Sequence, residues 1–311
     1  MAVQNSLKID GVTEVYPGFT TTPGGGKTFL VHSSGAAALN DLPAGFAGNP
    51  DGFFQSVQAA LLPTRTGRGD KIICLPGHVE SIAIADAWSN LGTASDVEIV
   101  GVGTGTNRPT ITWTTATSTV LFDQANVRLR NCRLFLAGPS ATGALTVAAP
   151  ITISATGAEI TDCEIHWGWD ADSIVGIGIT TTAAATRFKF DRNLAYAETA
   201  AVPTTTFLRL TGTDFFSMDS THIIGPGSST TIGPVQQLTT AMLKAQFRNS
   251  IVQSTTAAAT IAVTAIAGNT GVFYGCGVGV ASGVGVTGGS GFQSVNSQVM
   301  TAGTSGALVL T

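Results

Sequence analysis

The residues with the greatest chemical potential in this chain stand in one run, His166-Trp167-Gly168-Trp169-Asp170-Ala171-Asp172. Two indoles can stack on sugar rings, and two carboxylates can supply the acid and the base that glycoside cleavage requires. Two acids in one short loop fix no particular separation, however, and a Trp-Gly-Trp turn serves equally as a packing or interface anchor. His166, Trp167, Trp169, Asp170 and Asp172 are therefore candidates for carbohydrate contact, and no catalytic residue is assigned. His78 and His222 read as ordinary turn or strand residues.

Other chemistries find less support. Pro23-Gly-Gly-Gly-Lys-Thr28 is not a phosphate loop, because Thr21 stands where the first glycine is required and a strand rather than a helix follows. Gly101-Val-Gly-Thr-Gly105 lacks the spacing of a dinucleotide loop and reads as a turn. Cys74, Cys132, Cys163 and Cys276 lie far apart with no Cys-x-x-Cys pair, which points to reduced, buried thiols rather than to zinc or a disulfide framework. No acidic run offers the roughly six to eight oxygens that calcium takes. No metal and no cofactor is expected.

What positions these residues is a repeat. One frame recurs, apolar, any, polar or small, then Cys/Asn/Thr/Ser, any, apolar, and its fourth position falls at Cys132, Cys163, Asn193, Thr221, Ser250, Cys276 and Ser297. The intervals of 31, 30, 28, 29, 26 and 21 residues drift, as they do when insertions fall in the turns between faces of a solenoid. Arg128, Glu159 and Lys189 hold the same place in three successive copies, and Arg133 stands beside Glu164 in the same way. Opposite charges facing each other on neighbouring strands stabilise by about 0.2–1 kcal/mol a pair, so Arg128, Glu159 and Lys189 read as an outward ladder. Leu129, Ile160 and Phe190, one residue on, then point inward, and Thr161 is expected on the ladder face. Cys132 and Cys163 share a frame position and stack as small buried hydrophobes. The fold read from this repeat is all-β, a single-stranded right-handed parallel β-helix of three-sided coils.

Composition agrees with that reading. Charged residues make up 11% of the 311, against roughly 25% in an average globular protein. The formal charge of −4, without a basic run, provides no footprint for nucleic acid or an anionic membrane surface. Ser254 to Val286 carries no charge, but Val and Ile alternate there with small residues, which is strand periodicity rather than a membrane span.

The chain divides into an extended N-terminal arm (1–26), an opening strand with a short capping helix (27–70) and a β-helix (71–311) that is charge-free from 249. The helix is read from Asn49 to Pro63, with Phe54, Val57, Ala60 and Leu61 on one face. It serves as a lid on the open end of the bore.

Lys27-Thr-Phe-Leu-Val31, Phe54-Gln-Ser-Val-Gln-Ala-Ala60 and Asp70-Lys-Ile-Ile-Cys-Leu-Pro-Gly77 resemble the opening of the pectate-lyase-like β-helix superfamily. The likeness runs over residues 27 to 300 and is sharpest between 50 and 103. That superfamily contains pectinases, alginate-modifying enzymes, phage tailspikes and phage structural proteins, so it implies the fold and leaves the activity open. Its polygalacturonase-like set of aspartates, His and Arg-x-Lys has no counterpart here.

After Arg248 there is no Asp, Glu, Lys, Arg or His, which suggests a surface that meets other protein. The expectation is a structural protein on the surface of a tailed-phage virion, a head decoration or capsid-associated protein acting through assembly contacts. Its expected partners are itself, as a homotrimer, and other virion proteins such as the major capsid protein. The alternative is a tailspike-like depolymerase or carbohydrate-binding protein acting on host surface polysaccharide. No signal peptide is read at the N-terminus, which fits synthesis in the host cytoplasm.

Overall fold

A computed structural model describes residues 7–9, 12–14, 26–34, 52–88, 94–138, 145–168, 172–197, 206–227, 229–230, 232–238, 240–287, 291–301, 304–308 and 310. Short β-forming runs recur three times per coil, and each pairs in parallel with its equivalent one coil away. Among the described residues this pairing, with one antiparallel strand added at the end of the second sheet, builds sheets of 11, 10 and 7 strands. Seven coils contribute a strand to all three sheets, from Glu98–Gly101, Thr110–Trp113 and Val120–Phe122 to Gly271–Tyr274, Gly277–Gly279 and Gly285–Thr287. The coils wind as a right-handed parallel β-helix. They repeat at about the 4.8 Å spacing of paired strands.

The frame seen in the sequence is the corner between the first and second sheets. Its third position adopts positive φ in every copy: Asn131 (54°), Asp162 (59°), Arg192 (55°), Ser220 (50°), Asn249 (47°), Gly275 (63°) and Asn296 (51°). A left-handed residue turns the chain sharply, and Asn, Asp and Gly tolerate it best. The fourth position then points into the bore. There a side chain accepts a hydrogen bond from the backbone N–H of the previous coil: Cys163 N to Asn193 Oδ1 (2.9 Å), Asn193 N to Thr221 Oγ1 (3.1 Å), Thr221 N to Ser250 Oγ (3.1 Å) and Cys276 N to Ser297 Oγ (3.0 Å). The polar ladder satisfies backbone groups that a corner would otherwise strand in an apolar interior.

Register follows the charges. Arg128, Leu129 and Arg130 pair with Glu159, Ile160 and Thr161, and Glu159 and Ile160 pair in turn with Lys189 and Phe190. Leu129, Ile160 and Phe190 are fully buried, within an inward column running from Ile72 to Phe273. Thr161 departs from its expected exposure, at 4%. Arg130 on one neighbouring strand and Asp191 on the other flank it in register, so a short side chain between longer ones loses its solvent.

The N-terminal end differs in detail from the sequence reading. The segment expected to be helical from Asn49 splits into a strand, Gly52–Phe54, and a helix of one turn and a half, α1, Val57–Leu61. Gly52–Phe54 pairs in parallel with Thr28–Val31, and this backbone pairing takes precedence over the helical pattern of its side chains. Ser56 caps α1 by accepting from Ala59 N at 3.2 Å, while Val57, Ala60 and Leu61 close the bore. Glu80 fastens the lid from the first coil: its carboxylate accepts from Val57 N (2.9 Å) and Trp88 Nε1 (3.4 Å) and lies 3.2 Å from His78 Nε2. Of the expected arm, the described part is a small antiparallel pair, Leu7–Ile9 with Val12–Glu14. At the other end Gln298–Thr301 folds back on Thr304–Ala307, and Leu308 and Leu310 pack against the core. Among the described residues no helix is long and apolar enough to cross a membrane.

Candidate functional site

Alternation along the strand Glu164–His166 sends Glu164 and His166 outward and Ile165 inward. The same rule carries the next residue, Trp167, into the bore. It is fully buried, its ring centroid 5.3 Å from that of Phe207, and a Cβ on Gly225 would come within 2.1 Å of its ring. Trp167 is a core residue, which corrects the expectation of a sugar platform at this position. Trp169 and Asp170 lie outside the described residues, and Asp172 is exposed at the start of the next segment.

His166 instead belongs to a column that the sequence reading missed. Phe135, His166 and Tyr196 occupy equivalent outward positions on three successive coils of the second sheet. Phe135 stacks on His166 at 4.2 Å and 15°, and Tyr196 lies 4.4 Å away on the other side. The sandwich leaves His166 at 3% exposure. A signal was available, since each of the three follows its frame residue (Cys132, Cys163, Asn193) by three positions.

Beside this column stands Glu164. Its Oε1 is 3.0 Å from His166 Nε2 and accepts from Tyr196 Oη at 3.2 Å, and its Oε2 accepts from Arg108 Nη2 at 2.8 Å. Arg133 Nε is 3.6 Å from the same oxygen. Burial pulls the Glu164 carboxyl upward, but the His166 hydrogen bond and the charges of Arg133 and Arg108 outweigh it and hold the group below the usual carboxylate range. Arg108 comes from a corner rather than a strand, so no frame position announces it.

A His, a Tyr, two Arg and a Glu on one face are the ingredients of proton transfer at a sugar carbon or oxygen. Here they are turned on one another. Of the roughly four lone-pair directions of a carboxylate, Glu164 directs three at His166, Tyr196 and Arg108, and the Arg133 charge stands beside it.

The first sheet carries the ladder. Lys71, Glu98, Arg128, Glu159 and Lys189 alternate in sign over five coils in register. Neighbours approach at 3.5 Å (Lys71 to Glu98), 3.6 Å (Arg128 to Glu159) and 2.9 Å (Lys189 to Glu159). Arg130 adds a contact with Glu98 at 3.0 Å, and Arg192 grips Asp162 with two hydrogen bonds of 2.6 and 2.9 Å. Cys132 and Cys163 are free and buried, and burial pushes the Cys163 thiol up to about 12 and that of Cys132 well above its usual range. Among the described residues, no group of three or more His, Cys, Asp or Glu could hold a metal ion.

No protein-family model matches this chain, and no curated protein matches it. Among solved structures it is similar to the A-module of Azotobacter vinelandii mannuronan C-5 epimerase AlgE6, at 11% identity and a TM-score of 0.28, over 79% of this chain and 94% of that one. A likeness at that level says nothing of what this chain binds.

Proposed function

We propose that this chain is a structural element of a tailed-phage virion surface, a head decoration or capsid-associated protein that acts through assembly contacts. One observation carries the reading: the charged groups of the early coils neutralise one another, whereas residues 249–311 offer an outer surface without charge. Interface cores are depleted in charge and rims retain it. The superfamily resemblance supplies the virion context, since it includes phage structural proteins.

A carboxylate introduced into such a contact must be desolvated without a partner, which disfavours association. Ser282→Glu, at an exposed corner of the uncharged coils, is expected to weaken attachment to particles. Thr146→Glu, exposed on the short strand Leu145–Val147 that lies between the second and third sheets of a charged coil, is expected to leave it unchanged. Equal binding of both variants in co-sedimentation with particles would overturn the reading.

The second reading, contact with host surface polysaccharide, is favoured by the Phe135, His166 and Tyr196 column beside Arg133. Release of oligosaccharide from host capsule or lipopolysaccharide by the wild-type chain, abolished in Tyr196→Phe, would put that reading first.

A further inference from the structure

The two ends of the solenoid are finished differently. At the N-terminal end α1 lies over the bore, fastened through Glu80. At the C-terminal end the chain's own tail adds one short strand to the second sheet and a single bridge to the third. Thr304–Ala307 pairs antiparallel with the last strand of the second sheet, Gln298–Thr301, and Leu310 bridges Val286 on the third sheet. Among the described residues the first sheet receives no added strand and ends on a strand of the last coil. Its last strand, Phe292–Val295, stands at the end of the order and pairs on one side with Gly271–Tyr274; among the described residues nothing pairs with the other side.

This edge also lacks the devices that keep edges apart. Proteins blunt an open strand with Lys, Pro, a bulge or a covering loop. Here Gln293, Ser294, Val295 and Asn296 are all exposed, none is charged, none is Pro, and the pairing with Gly271–Tyr274 runs without a register shift. Gln293 and Val295 face outward beside Val272 and Tyr274 of the preceding coil, and Phe292 seals the bore beneath them at 7% exposure.

We infer that this edge pairs with the same edge of a second copy of the chain, two Phe292–Val295 strands running antiparallel across a twofold axis to join the first sheets end to end. The choice of a second copy rests on charge. In a twofold contact each residue meets the neighbourhood of its own counterpart, so any charge near the axis faces its like. Neutrality over the last coils is what self-pairing demands. An open strand is itself a template for the same strand of another copy, and no charge on this edge opposes that pairing. The contact is small. A four-residue strand and the rim around it fall short of the roughly 800 Å² per partner of a standard stable interface. The dimer is therefore weak in solution and fills where copies are concentrated, as on a shell. The inference rests on the assembly reading for that setting, not for the contact itself.

Charge exchange at Gln293 tests it in sedimentation velocity over a concentration series. The wild-type chain is expected to show a reversible monomer–dimer equilibrium. Gln293→Lys and Gln293→Glu alone should each weaken the dimer about tenfold or more, a loss of roughly 1.4 kcal/mol or more, and an equimolar mixture of the two should restore it. A wild-type chain that stays monomeric throughout, or a dimer indifferent to both variants, would overturn the inference. Particle attachment is measured separately. A chain that dimerises through Gln293 yet never binds particles contradicts the virion reading and leaves this contact standing.

Discussion

Cys132 and Cys163 report how completely the bore excludes water. Both sit between coils, and burial holds their thiols far from ionisation at neutral pH. Since the thiolate is the reactive species, a thiol reagent should label neither in the native chain and both on unfolding. Mass spectrometry after pulse labelling across a denaturant series checks this, and rapid native labelling would show an open bore. Glu164 makes the complementary point on the outside. Its folded carboxyl lies below the ordinary value of 4.5, so the stability it contributes is present above about that pH and drains away as pH falls through the folded value. Glu164→Gln should lower Tm at pH 7, where Arg108 and Arg133 lose their counter-charge, and flatten the decline of Tm below about pH 4.5. A variant that loses stability in acid as steeply as wild type would mean that other carboxylates dominate. The sequence made Glu164 and His166 visible through Arg133 and the Trp-Gly-Trp run, but it left Tyr196 and Phe135 out, because their significance lies in an offset shared between coils rather than in any local motif.

At the scale of elements, the strand carrying Glu159, Ile160 and Thr161 separates two kinds of stabilisation. Ile160→Ala opens the inward column and should cost about 2–5 kcal/mol. Glu159→Gln removes contacts to Lys189 and Arg128, each about half exposed, and should cost well under about 1 kcal/mol. Chemical denaturation of both variants compares them directly, and equal costs would contradict the register. The lid is a second such element. Removing the Glu80 carboxylate with Glu80→Ala strands the buried Val57 N–H and should raise amide exchange over Val57–Leu61 while the middle coils keep their protection. The first two sheets were legible in the sequence because they flank a corner of fixed length, with one left-handed residue and one inward polar residue in every copy. The third sheet was not. Its distance from the second varies, from Phe135 to Ile151 in one coil and from Gly279 to Gly285 in another, so no offset repeats. Helix α1 was legible as a lid but too long by its first half, where pairing with Thr28–Val31 took the residues into a strand.

For the whole molecule, each coil rests only on its neighbours, so the stack has two ends and three long faces to offer. On the early coils the ion pairs line the first two faces, the N-terminal end carries α1, and the uncharged coils with the open strand of the first sheet remain. That distribution underlies the proposed role, and the surface charge that suggested it could be read from the sequence because the absence of Asp, Glu, Lys, Arg and His after Arg248 needs no structure to see. That the first sheet ends on a coil strand while the second gains Thr304–Ala307 could not, since it depends on where the tail folds back. Under the proposed role, electron cryo-microscopy of the phage particles into which the chain would assemble tests the account most directly. The account predicts ordered density for the coil stack on the particle surface, with residues 249–311 buried in contacts and the Arg128, Glu159 and Lys189 ladder facing solvent. Particles that lack the chain, or that hold it through the ladder face with the uncharged coils free, would contradict it.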